Sequence, residues 1–189
     1  LGSVKERSRA DITRSRERTV TSEKTGKQIK NQSTRAGHFS EKNHEREVSF
    51  AKSTGLRRSE MEQVRGNQLV LRDGKAYIQL EGQQCKGGQP RELPVIGNVD
   101  RVIEIMREAG NEKVFDRVPA AMDVHHYRSQ YATELYKSLA RPIEQLDRKE
   151  KYFCRGDLKG VVYDRSAMLQ TSEALGHHRI SVIAEHYLR

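Results

Sequence analysis

An arginine in the middle of an otherwise apolar helical stripe limits what this chain can fold into more than any other feature. Asp123 is an N-cap by residue type and Pro142 a stop. Between them Val124, Arg128, Tyr131, Leu135 and Leu139 follow at helical spacing along one face. Burying that face buries Arg128. A guanidinium in an apolar interior is costly to hold without a partner, so something negative is expected to meet it. His125 precedes Arg128 by three positions and shares its side of the helix. A proton-handling ring and a fixed positive fork therefore project toward one object, of the size and charge of a phosphate.

The rest of the C-terminal third extends this pattern. Leu175-Gly176-His177 reads as a helix end at Gly176, with His177 on the turn into a short helix that carries Tyr187. The net charge of +9 points to a polyanionic partner, an argument that gains weight only if the cations converge. With 34% hydrophobic and 32% charged residues in 189, the chain can form one compact domain of ordinary size plus a tail. No apolar run approaches a bilayer span, and Leu1 to Arg18 lack the apolar middle of a secretory signal. Cys85 and Cys154 stand far apart with no Cys-x-x-Cys spacing, which favours reduced thiols and a cytoplasmic location.

Taken in order, residues 1–38 are polar, of mixed charge and poor in large apolar side chains. They read as a basic flexible arm or linker remnant, or equally as a solvated tail. Folded structure is expected from Phe39, with Ser40 capping a helix to about Ser53, a break at Thr54-Gly55, and a second helix through Val64 with Ser59 as its cap. Leu69–Arg72, the turn dipeptide Asp73-Gly74 and Lys75–Leu80 spell a hairpin. A third strand from Arg91 to Ile96 puts Lys86 at the tip of a second hairpin, beside Gly87 and Gly88. Asn98 caps a helix with Val99, Val102, Ile103 and Met106 inward, ended by Gly110. Residues 143–165 read as an insertion holding a further hairpin. Asp164 or Ser166 then starts a helix through Leu175, and Ile180, Ile183, Ala184 and Tyr187 give the last helix its inner face. The fold class predicted is α+β, mainly helical, with a small three-stranded antiparallel sheet and an additional hairpin.

Several stretches taken together carry a resemblance. Thr-Gly-Leu-Arg-Arg-Ser-Glu at 54–60, Lys-Gly-Gly-Gln-Pro-Arg-Glu-Leu-Pro at 86–94, His-His-Tyr-Arg at 125–128, Leu-Gly-His at 175–177 and Tyr187 occur in the order and rough spacing of the tyrosine recombinases. From about Phe39 onward the chain resembles the catalytic domain of a phage- or mobile-element-type integrase. Two features depart from the family pattern: the step from His177 to Tyr187 is one residue longer than usual, and 143–165 stands where many members have a short connection.

The resemblance implies that Arg57 and Arg128 clamp the non-bridging oxygens of the scissile phosphate and that Tyr187 attacks phosphorus to give a 3′-phosphotyrosyl link. It further implies that Lys86 protonates the 5′-oxygen, His125 assists removal of the tyrosyl proton, and His177 hydrogen-bonds the phosphate. No cofactor or metal is implied. The implied partner is double-stranded DNA, with a tetramer on paired sites and a monomer in isolation. A topoisomerase of type IB that nicks and reseals, and a DNA-binding module without catalysis, are the alternatives. Bland roles remain open for single residues: Arg57 can pair with Glu60, Tyr187 can pack, and Lys86 can be an idle turn residue.

Overall fold

The computed structural model describes residues 39–177 and 179–188, so the arm expected at 1–38 lies outside the described residues, as does His178. By its contacts the chain divides into Leu1–Ser40 and Glu41–Arg189, and the second unit holds every element named below. It is a mixed α+β structure in which helices pack with a small three-stranded antiparallel sheet and a separate two-stranded one.

Helix α1 spans Glu45–Thr54, starting later than a Ser40 cap would place it, because residues 41–44 form turns. Its acidic first turn, Glu45 and Glu47, and Lys52 in its last turn suit the helix dipole. Gly55 ends it at φ +60°, returning its N–H to the Ala51 carbonyl. After Leu56 and Arg57 the chain enters α2, a single turn over Arg58–Met61. Its cap is Arg57 rather than Ser59, since the Glu60 carboxylate reaches back to the Arg57 N–H at 2.8 Å. Arg58 donates to the carbonyls of Val118, Pro119 and Met122, tying α2 to the approach to the long helix.

Strands β1 (Leu69–Arg72), β2 (Lys75–Leu80) and β3 (Arg91–Pro94) form an antiparallel sheet in that order. The first hairpin closes Arg72 on Lys75, with Asp73 at φ 51° and Gly74 at φ 72°, a turn that matches strand twist. β3 pairs Leu93 with Ile78 and stops at Pro94, short of the expected Ile96. Helix α3, Val99–Ala109, buries Val102, Ile105 and Met106, so Ile105 takes the inner position expected of Ile103. Helix α4, Val124–Leu139, opens with the Asp123 carboxylate accepting from the His126 N–H at 3.0 Å.

The predicted insertion holds β4 (Lys151–Phe153) and β5 (Val162–Asp164), a two-stranded ribbon. Asp164 then caps α5, Arg165–Ala174, through the N–H groups of Ser166 and Ala167. Helix α6, Ser181–His186, is short and ends one residue before Tyr187. The core lies where α1, α3 and α4 meet the sheet and α5. Phe50, Leu56, Met61, Ile78, Leu93, Met168 and Leu175 are fully buried there, with Phe50 edge-on to Phe115 at 5.2 Å. Among the described residues no helix is long and apolar enough to cross a membrane.

Candidate active site

Arg128 enters this core from the middle of α4 and is 3% exposed. Among the described residues it hydrogen-bonds to no carboxylate. Its Nη1 donates to the Gly55 carbonyl at 2.6 Å and its Nη2 to the Leu175 carbonyl at 2.5 Å, two helix ends presenting carbonyls freed by glycine-associated turns. Its Nε donates to the Tyr187 hydroxyl at 3.3 Å. The negative partner expected in direct contact with this arginine is thus replaced by partial charges, with the buried Glu60 carboxylate acting on it only through space. Burial first, and then the nearby Arg57, push the guanidinium below its ordinary pKa.

Gly176, at φ +65°, turns the chain after α5 so that His177 faces the same point. His177 Nε2 is 3.2 Å from the Tyr187 hydroxyl and 3.5 Å from Arg128 Nη2. A guanidinium only donates, so the ring nitrogen facing it is the acceptor, and its single lone pair is shared between Arg128 and the phenol. Burial, followed by the charges of Arg128, Arg57 and Arg91, lowers the His177 pKa to about 4. The ring is therefore neutral at pH 7 and able to accept a hydrogen bond, while the same surroundings make it a weak base.

Tyr187 is buried, and its ring centre lies 6.0 Å from the His125 ring and 5.6 Å from that of His177. Arg57, His125 and Arg128 line an open cleft of about 320 Å³, whereas Tyr187 lines a separate cleft of about 790 Å³ with His126, Ser129 and Thr133. His125 is exposed on the first turn of α4, on the cleft side. Five of the six candidates, Arg57, His125, Arg128, His177 and Tyr187, come together from four separate places in the chain. Lys86 is tied to none of them. It lies exposed on the turn before β3, next to Gly87 and Gly88 at φ 95° and 73°, and its side chain has no hydrogen bond or ion pair among the described residues.

The pairing of Arg57 with Glu60 is present, Nη1 to Oε1 at 2.8 Å, but Glu60 is shared. Its fully buried carboxylate also takes both terminal nitrogens of Arg91, at 2.9 and 2.7 Å. Burial alone would raise the Glu60 pKa, yet the hydrogen bonds and charge of Arg91, and then Arg57, hold it at about 2. Arg91 further donates to the Ala174 carbonyl and to the Cys85 sulfur. Glu60 and Arg91 thus brace Arg57 against the sheet and the end of α5, leaving Arg57 one-fifth exposed at the cleft. Arg91 carried a signal in the sequence: it alternates with the buried Leu93 and Val95, which puts a charge on the inward side of a strand.

Chemically the arrangement offers two guanidinium groups lining one cleft, a phenol in contact with the buried one of them, and a neutral imidazole in contact with that phenol. Among the described residues no three His, Cys, Asp or Glu side chains are grouped to hold a metal ion. No family model, curated protein or solved structure matches the chain.

Proposed function

We propose that this chain is a site-specific DNA recombinase of the integrase type, which breaks and rejoins DNA strands through a 3′-phosphotyrosyl intermediate. The observation that carries the reading is the buried guanidinium of Arg128, hydrogen-bonded to no carboxylate among the described residues and in contact with the hydroxyl of Tyr187. A phosphodiester would supply the directly bonded anion that Arg128 does not have among the described residues, and planar guanidinium forks suit its non-bridging oxygens. A phenol is a poor nucleophile at neutral pH, and cations together with an acceptor for its proton are what make it competent.

In the proposed step Tyr187 Oη bonds to phosphorus while the bond from phosphorus to the 5′-oxygen breaks. The phenolic proton passes to an imidazole, and the 5′-oxygen gains one from Lys86, which must swing in from its turn. His125, which faces the cleft where the phosphate would lie, is the base in this reading, and His177, held neutral with a pKa of about 4, is the weaker base and keeps the role of hydrogen-bonding the phosphate. Negative charge builds on the equatorial oxygens in the transition state, where losing one donor costs on the order of a hundredfold in rate. Because the tyrosyl ester conserves the energy of the broken bond, a second 5′-hydroxyl can reverse the step. Insertion or excision of a mobile element on duplex DNA, by four protomers on paired sites in the cytoplasm, is the use this chemistry serves.

A nicked duplex that traps the intermediate tests the proposal. Wild type is expected to form a denaturation-resistant protein–DNA adduct and Tyr187→Phe none, with DNA binding retained in both. Binding with no adduct from wild type would make the chain a DNA-binding module. Relaxation of supercoiled DNA by isolated monomers, without strand exchange, would make it a topoisomerase of type IB.

A further inference from the structure

The segment that presents Tyr187 has little packing of its own. Helix α6 buries only Ile183 and Ala184, and Tyr187 follows it in a non-helical conformation, φ −124°. Side-chain hydroxyls from two other elements hold the main chain at this point. Thr133 Oγ1, on α4, donates to the Tyr187 carbonyl at 2.8 Å, closer than its own-helix alternative at the Ser129 carbonyl, 3.1 Å. Tyr163 Oη, on β5, donates to the Leu188 carbonyl at 2.9 Å.

The strand that carries Tyr163 is itself fixed to α4. Tyr136 packs edge-on against Tyr163 with ring centres 5.4 Å apart, and its hydroxyl accepts from the Asp164 N–H at 3.0 Å. The fully buried Asp164 carboxylate holds Arg141, just beyond α4, through bonds of 2.8 and 3.0 Å. Both hydroxyl anchors therefore refer the Tyr187 backbone to the helix that carries Arg128. The phenol and the anion-binding guanidinium share one frame, and the 143–165 segment supplies half of the link.

We propose that Thr133 and Tyr163 are positioning residues that set the line of attack of Tyr187. This rests on the strand-cleavage reading above. A two-point hold on successive carbonyls restrains rotation of the backbone between them, so the hydroxyl meets phosphorus in line rather than sampling directions. Each hydrogen bond is expected to contribute about fivefold to the cleavage rate.

The test is single-turnover adduct formation on the nicked duplex at saturating DNA, for wild type, Thr133→Val, Thr133→Ser and Tyr163→Phe, with DNA affinity and melting temperature measured for each. Thr133→Val and Tyr163→Phe are expected to be about five- to tenfold slow, and Thr133→Ser, which keeps the hydroxyl, within about twofold of wild type. Affinity and melting temperature should stay near wild type. A duplex with sulfur in place of the scissile 5′-oxygen has a leaving group that needs no proton, and the slow rates should persist on it because the defect lies in attack. Wild-type rates in both hydroxyl-deleted variants, recovery on the sulfur substrate, or slowing that tracks lost DNA affinity would overturn the positioning role and leave strand cleavage standing. Absence of any adduct from wild type would overturn strand cleavage and this role with it.

Discussion

Replacing Arg128 with methionine separates an anion-binding arginine from a structural tie, because the two roles predict opposite balances of stability and affinity. In the wild-type protein the guanidinium is 3% exposed, spans the carbonyls of Gly55 and Leu175, and is hydrogen-bonded to no carboxylate among the described residues. Methionine fills much of the same volume but leaves both carbonyls without their donor, at about 1–3 kcal/mol each. Against this, it removes a desolvated charge whose burial costs several kcal/mol. The two effects oppose each other, and Arg128→Met is expected to unfold in urea within about 2 kcal/mol of wild type. Binding has no such compensation. A charge-assisted bond to phosphate contributes about 1.5–3 kcal/mol, so affinity for a short duplex should fall about 10- to 100-fold at fixed salt. Urea unfolding and equilibrium DNA binding on the same preparations measure both terms. A variant destabilised by more than about 4 kcal/mol that binds DNA as tightly as wild type would refute the reasoning, since Arg128 would then serve only to join the ends of α1 and α5.

Three further outcomes follow from the same geometry. His177 has a folded pKa of about 4, below the ordinary 6.5, so the unfolded chain takes up its proton first as pH falls. Its stabilising contribution is complete above pH 6.5 and lost on the way to pH 4, on the order of 1 kcal/mol after allowance for solvent screening. Urea unfolding at pH 7 and 4.5 should show a shallower pH dependence in His177→Gln, and equal slopes would contradict the assignment. Glu60→Gln leaves the buried Arg91 without its counter-charge and is expected to cost about 3–5 kcal/mol in chemical denaturation. Gly55→Ala places a methyl 2.3 Å from the Tyr131 ring at a residue with φ +60°, so it should destabilise by more than about 1 kcal/mol and impair DNA binding through the displaced carbonyl under Arg128. Retained stability in that variant would show the loop can yield.

What could be read from the sequence follows how local each determinant is. The β1–β2 hairpin is legible to the residue because Asp73-Gly74 fixes the turn and the turn fixes the register. Helix α4 is equally legible, since its Asp123 cap and the approach to Pro142 are chain neighbours of what they control. The α1 and α2 starts were displaced because caps compete: several polar residues near 40–45 could begin a helix, and the Glu60 carboxylate outbids Ser59 by bonding the Arg57 amide. In α3, apolar residues at 99, 102, 103, 105 and 106 leave the inner face free to rotate, and packing against α1 and the Gly66–Gln68 turn selects Ile105. The convergence of Arg128, His177 and Tyr187 was legible as residue types, but its exact partners were not. The carbonyls of Gly55 and Leu175, the Arg91 brace and the Thr133 and Tyr163 hydroxyls are brought in by tertiary packing across tens of residues.

The most direct measurement on the central claim is the chemical identity of the protein–DNA bond. The adduct trapped on a nicked duplex would be digested with protease and nuclease, and the modified peptide sequenced by mass spectrometry. The account predicts a phosphodiester joining Tyr187 to the 3′ end of the cleaved strand, with a free 5′-hydroxyl on the other side. A bond at any other residue, such as Tyr127 or Tyr163, or attachment to the 5′ end, would contradict it.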